Sequence, residues 1–314
     1  MSRTPSVEPN QEAESRESGP WTVEKVEGWG PFRTRVVWRA RDGHTATWSS
    51  RSARKRGRIG DRLAAATPAR RQSLLNSIAA VAFTIGGSLF ALGAALAQLG
   101  SADPTASACI YFAGGLFFNT GGYATVLQAV NSPRGLEADG SPRYERWRWW
   151  SWEPDRIEWV SAVFLFAGTL VFGINLLDSF LQGLTVKQQN RLIWAPDIVG
   201  CTMFLISGHL ALAEICHRRL CVQRRDLGWW IAALNQLGSY LFLISALAAF
   251  IRPETSSEVN AAVANWGTFG GALCFAVGGV LQVFERPASP GSHDAREAPD
   301  PRTLQAPTKG APVT

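Results

Sequence analysis

The residues able to do chemistry in this 314-residue chain are few, and most lie inside apolar stretches. His209 stands beside Gly208 in one such stretch, and Gln128, Glu214 and Glu285 fall near the ends of three. An ionisable side chain at membrane depth is costly and is a functional candidate by default. His209 is read as an interhelical hydrogen-bonding group, with a proton or metal role as the alternative, because no other stretch has a His at the matching place. Gln128, Glu214 and Glu285 sit where a carboxylate costs far less than at the bilayer centre. They are expected to pair with nearby Arg and pin the helix ends; a headgroup or ion site is the alternative. Asn119, Asn175, Asn235, Gln236 and Ser207 are the other deep polar groups, and Asp178 and Asp197 are placed at the opposite border, within reach of water.

The five cysteines add little. Cys109, Cys201 and Cys274 lie in apolar stretches, and Cys216 and Cys221 flank His217. An odd count, mostly at membrane depth, is no disulfide framework. The Cys216–Cys221 spacing is not a zinc pattern, although a juxtamembrane cysteine can be palmitoylated. Neither a glycine-rich phosphate loop, an HExxH motif, a nucleophile elbow nor a pair of buried carboxylates at catalytic spacing occurs. No catalytic, cofactor-binding or metal residue is assigned, no cofactor is expected, and the chain is read as a non-enzyme.

The elements that must position these groups are membrane helices. The mean hydropathy of −0.01 hides a partition between polar ends and an apolar middle. Residues 1–20 and 286–314 have the composition of disordered tails, without the charged and apolar blocks of a signal peptide at the start. Between them run six apolar stretches, Leu74–Leu99, Thr105–Val130, Ile157–Leu181, Ile193–Ile215, Gly228–Ile251 and Asn260–Phe284. Each exceeds the roughly 20 residues that span a bilayer core. Arg and Lys crowd before the first stretch, after the second (Arg134, Arg143, Arg146, Arg148, Arg156) and after the fourth (Arg218, Arg219, Arg224, Arg225). The other connections have at most two. Basic loops stay cytoplasmic, so both termini are expected inside, and the net charge of +6 reports topology rather than nucleic-acid binding.

One pattern recurs in these stretches. Gly86, Gly168 and Gly238 are each followed by a small residue, by Phe90, Phe172 or Phe242 four residues on, and by Gly93, Asn175 or Ser245 at seven. In the next stretch come Gly114 and Phe118, Gly200 and Phe204, Gly271 and Phe275, with Gly or Ser after each Phe. At a helix's turn per residue these positions point to about 0°, 40° and −20°, one narrow face. Small residues let membrane helices approach closely, so this face is read as the packing seam of three helix pairs; a substrate cleft gated by Phe is the alternative. Fourteen residues past the second glycine of each pair lie Gln128, Glu214 and Glu285, on the same face. Three hairpins in one orientation suggest a pseudo-threefold bundle.

The remaining segments are soluble or interfacial. Thr34–Ala40 and Thr45–Ser49 read as strands around an Asp42-Gly43 turn, a short hairpin signal. An isolated hairpin is marginal, so it is expected to pack on the bundle. The basic run 49–58 reads as a contact zone for anionic headgroups rather than for nucleic acid. The loop 131–156 ends in alternating Arg and Trp, an interfacial aromatic belt, with a headgroup or partner docking site as the alternative. Trp152-Glu-Pro-Asp155 and Trp194-Ala-Pro-Asp197 each look like a helix start, with Pro in the first turn and Asp at the positive end of the dipole.

The paired glycine–phenylalanine motifs resemble the YrhK-like membrane proteins, small bacterial two-helix proteins of unassigned role. The resemblance covers about residues 74–285 as three units: 73–130, 157–216 and 228–285. It implies an all-α bundle of six spans in a bacterial inner membrane and brings no catalytic residue. The segment 21–72 lies outside it and could bind a protein partner. The expected role is a structural or interaction component of the membrane. A small-solute permease and a sensor acting through the N-terminal segment are the alternatives; a core sealed around Phe90, Phe172 and Phe242 would count against the permease.

Overall fold

A computed structural model of the chain describes residues 21–55, 67–100, 103–137, 142–219 and 221–285. The two tails and most of the basic run after Lys55 lie outside these residues. Three antiparallel strands come first, in the order β1 (Trp21–Trp29), β2 (Phe32–Ala40) and β3 (Thr45–Ser49). The β2–β3 register sets Val36 opposite Trp48 and Trp38 opposite Ala46. Its turn needs Gly43, whose φ of 91° is open to few other residues. The Asp42 carboxylate accepts from the His44 backbone N–H at 3.1 Å. Strand β1 was not visible as a strand in the sequence: Val23-Glu24-Lys25-Val26 is exposed, and its pairing with β2 is broken by two register shifts.

Eight α-helices follow among the described residues: α1 (Ser50–Arg54), α2 (Thr67–Leu99), α3 (Pro104–Val130), α4 (Ile157–Asp178), α5 (Val186–Gln189), α6 (Ala195–Cys216), α7 (Leu227–Ala248) and α8 (Ala261–Val283). Five of the helical stretches are long and apolar enough to cross a membrane: α2, α4, Val186–Cys216, α7 and α8. The sixth long helix, α3, falls short of that hydropathy because Tyr111, Asn119, Thr120, Tyr123 and four glycines dilute its apolar residues. The long helices form a closed ring. Each packs on its neighbour in sequence, and α8 returns to pack on α2.

The glycines explain how close these helices come. A methyl group on Gly86 would stand 3.0 Å from the Gly114 carbonyl, one on Gly200 3.1 Å from that of Gly168, and one on Gly238 2.9 Å from that of Gly271. Gly87 performs the same service where the ring closes, 2.7 Å from the Ala272 carbonyl by the same measure. At the centre the six motif phenylalanines meet. Phe90 touches Phe118 and Phe172 with ring centroids 5.1 and 5.5 Å apart. Phe275 touches Phe118, Phe204 and Phe242 at 5.6, 6.2 and 5.6 Å. Most of these pairs are edge-to-face or tilted, the arrangement the ring quadrupole favours.

The start of α6 differs from the expectation. Pro196 and Asp197 do not open a helix. A π turn, Asn190–Trp194, joins α5 to α6, and the Ala195 N–H reaches back to the Asn190 carbonyl. A proline inside an α-helix clashes with the carbonyl four residues earlier, here that of Leu192. The wider π turn accommodates it, and such turns are a usual cause of helix kinks. Asp197 therefore lies inside a continuous helical run, away from the free N–H groups of a helix end.

Candidate functional site: two polar ends of the bundle

Strand β3 leads straight into α1, which is capped by the Ser49 hydroxyl on the Ser52 N–H at 3.3 Å. This helix enters the end of the ring where α3 and α6 finish. Arg54 makes an ion pair with Glu214, and the Ser50 hydroxyl donates to the other oxygen of that carboxylate at 2.6 Å. Arg51 donates through Nε to Glu285 at 2.7 Å. Lys55 donates to the Gln128 amide oxygen at 3.0 Å. Three positions singled out in the sequence, on α3, on α6 and just past α8, are thus gathered by one six-residue segment, Ser50–Lys55. Gln128, Glu214, Glu285, Arg54 and Lys55 are all buried. The basic run is therefore not a lipid-contact zone over Arg51–Lys55: those residues turn inward, because three buried acceptors need donors.

The neighbouring polar residues extend this layer across the ring. Gln72 donates to the Gln128 backbone carbonyl at 3.2 Å, and Asn76 and Gln282 exchange hydrogen bonds at 3.2 and 2.8 Å, tying α2 to α8. Glu158 at the start of α4 is paired with Arg156, which also holds Glu153. Burial and the adjacent Arg54 push the Lys55 amine down to about 7. Burial opposes the charge of Arg51 too, but Glu285 and then Glu214 outweigh it and raise its pKa. A cavity of about 80 Å³ lies between this layer and the phenyl core. Arg54 Nε, Glu158 Oε2 and Asn235 Oδ1, on residues that line it, have no protein partner. A space of that size with three orphaned polar atoms suits ordered water.

The strands lean on the same end. The Thr34 hydroxyl, fully buried, lies 2.7 Å from His217 Nδ1. Trp48 donates to the Pro133 carbonyl at 2.9 Å, and Trp29 meets His209 edge-on with centroids 6.2 Å apart. His209 thus contacts a ring of the β1–β2 turn, and no hydrogen bond between helices involves it among the described residues. Cys216 and Cys221 are joined in a disulfide around His217, contrary to the sequence expectation. The Arg- and Trp-rich loop is held by Glu153 with Arg134 and Arg156, while Trp149, Trp150 and Trp152 remain exposed. Burial resists the Glu153 charge, but the Ser151 hydrogen bond and Arg156 bring its pKa below the usual value.

The opposite end is different. There a cavity of about 280 Å³ opens between α3, α4, α6, α7 and α8, with Phe172 and Phe242 of the phenyl core in its lining. Asn175, Asp197, Ser245 and Thr268 also line it. The sequence singled out Asn175 and Asp197 separately but gave no reason to join them. Asn119, also picked out as deep and polar, leaves its amide oxygen without a partner, as Gln236 does. Ser207 bonds across to Ser161, hydroxyl to carbonyl, at 2.7 Å. Among the described residues no group of three or more His, Cys, Asp or Glu is arranged to hold a metal.

No protein family, curated protein or solved structure matches the chain.

Proposed function

We propose that the chain is an integral membrane protein of six spans, built from three YrhK-like helix pairs, in a bacterial inner membrane with both termini in the cytoplasm. It acts as a structural or interaction component without enzymatic activity, and not as a permease. The observation that carries this reading is the filled cross-section: six phenylalanine rings in mutual contact, with Ser50–Lys55 seated across one end. A transporter of alternating access needs two gates that open in turn. Here the phenyl layer and the plug both stand closed.

Flux measurements on proteoliposomes test it. Purified full-length protein should pass entrapped glycerol, sodium and potassium no faster than protein-free vesicles do. Protein-dependent, saturable flux of any of the three would overturn the reading. The orientation has its own check. Cytoplasmic thiols are kept reduced, so if this end faces the cytoplasm the Cys216–Cys221 bond is open in intact cells, and both cysteines should then react only with a membrane-permeant maleimide. Labelling by an impermeant reagent would put that end outside.

The sensor reading is favoured by one feature, the unbroken run from β3 into α1, which couples the sheet to the ring. Removing residues 21–48 spares α1 and its Ser49 cap. Loss of a co-purifying protein from an otherwise folded bundle would favour the sensor; unchanged association would favour the scaffold.

A further inference from the structure

We propose that the cavity at the end opposite the sheet binds a small organic cation, with Asp197 as its counter-ion. Tyr111, Asp197 and Thr268 each stand three residues before Gly114, Gly200 and Gly271, and all three line the cavity. Asn175 and Ser245, each seven residues after Gly168 and Gly238, line it too. The corresponding place in the first helix pair is Gly93, and the Tyr111 ring covers it: a methyl group there would lie 3.0 Å from Tyr111 Cζ. Equivalent positions thus converge on one space. Their side chains differ, so the space is lopsided: one wall is aromatic, one has a carboxylate, and one has hydroxyls.

The charge balance selects the ligand. Asp197 has one partner among the described residues, the Cys201 thiol at 3.6 Å, which is a weak donor. No Lys or Arg lines the cavity. The π turn also removes the compensation that a free helix N-terminus would give this carboxylate. A carboxyl held between helices with no cation of the protein's own is neutralised either by a proton or by a cation from solution, and the aromatic lining favours the cation. The phenyl rings of Phe172 and Phe242 face a cation favourably, and Ser245 and Thr268, 2.7 Å apart, are placed to receive an N–H. About 280 Å³ is roomy for a bare metal ion and near the lower bound for small-molecule sites. An ammonium group on a compact apolar body fits both the volume and the lining.

Benzylammonium is a suitable probe, with benzyl alcohol and sodium chloride as comparisons. Binding to full-length protein in micelles is followed by isothermal titration. Benzylammonium should bind saturably, with benzyl alcohol at least about tenfold weaker, a difference of about 1.4 kcal/mol. Asp197→Asn keeps the shape and should weaken benzylammonium by about the same factor. Equal binding of amine and alcohol, displacement by sodium at equal concentration, or no saturable binding would each overturn the proposal. So would unchanged affinity in Asp197→Asn. If that variant does not fold, the amine–alcohol comparison on the unaltered protein decides alone.

Discussion

The two ends of the ring use the same three helices for opposite purposes. At the sheet end, α3, α6 and the segment following α8 offer Gln128, Glu214 and Glu285, and Ser50–Lys55 answers each with a donor. At the far end, α3, α6 and α8 offer Tyr111, Asp197 and Thr268, and no Lys or Arg lines the space they share. The first end is a closed polar junction. The second is a pocket with an unanswered charge. Equivalent positions in a helix pair therefore do not imply equivalent roles; what decides is whether the rest of the chain supplies a partner.

Removing one partner at the closed end should have the largest effect. Arg54→Met leaves Glu214 buried and unpaired, which costs about 3–5 kcal/mol. Denaturant titration of the protein in micelles should show the loss, whereas a change below about 1 kcal/mol would mean that α1 does not seat as described. Next comes the ring that supports both ends. Gly87→Val would drive a side chain into the Ala272 carbonyl and Ala276, and overpacking of this kind costs about 1–3 kcal/mol. Asp197→Asn should change stability by no more than about 0.5 kcal/mol, or raise it, because no ion pair is lost. A large loss there would erase the contrast between the ends.

A pH slope tests the closed end separately. Exposed Lys55 would titrate at 10.5, but docked it titrates at about 7. Between those values the undocked segment holds a proton that the docked one lacks, so docking strengthens as pH rises through that window. Below about pH 7 both forms are protonated and the slope vanishes. Thermal stability read at intervals from pH 7 to 9.5 should rise, and Lys55→Met should flatten the rise.

Much of this is legible in the amino-acid sequence. Apolar run length marked the long helices to within a few residues at most ends, and Asp42-Gly43 marked the β2–β3 hairpin, because both signals are local. The recurrence of Gln128, Glu214 and Glu285 on one face pointed to cationic partners. What it could not say was which cations. Arg51, Arg54 and Lys55 looked like any basic flank of a membrane span, yet their spacing over one helical turn matches three acceptors around a ring. Three buried acceptors without internal partners were the signal that could have found them. Strand β1 was hidden by its exposed Glu and Lys, and the run through Pro196 was hidden because proline ordinarily marks a helix start. The Cys216–Cys221 bond depends on the αL conformation of His217, which bends the chain back after α6, and spacing alone does not reveal it.

A double-mutant cycle on Arg54 and Glu214 tests the central claim most directly. Arg54→Met, Glu214→Met and the double variant are compared by denaturant titration in micelles. If Ser50–Lys55 locks the ring, the double variant recovers much of the loss of Arg54→Met, giving a coupling of about 1–3 kcal/mol. Additive losses, with coupling near zero, would contradict a seated plug and leave the two ends of the bundle alike.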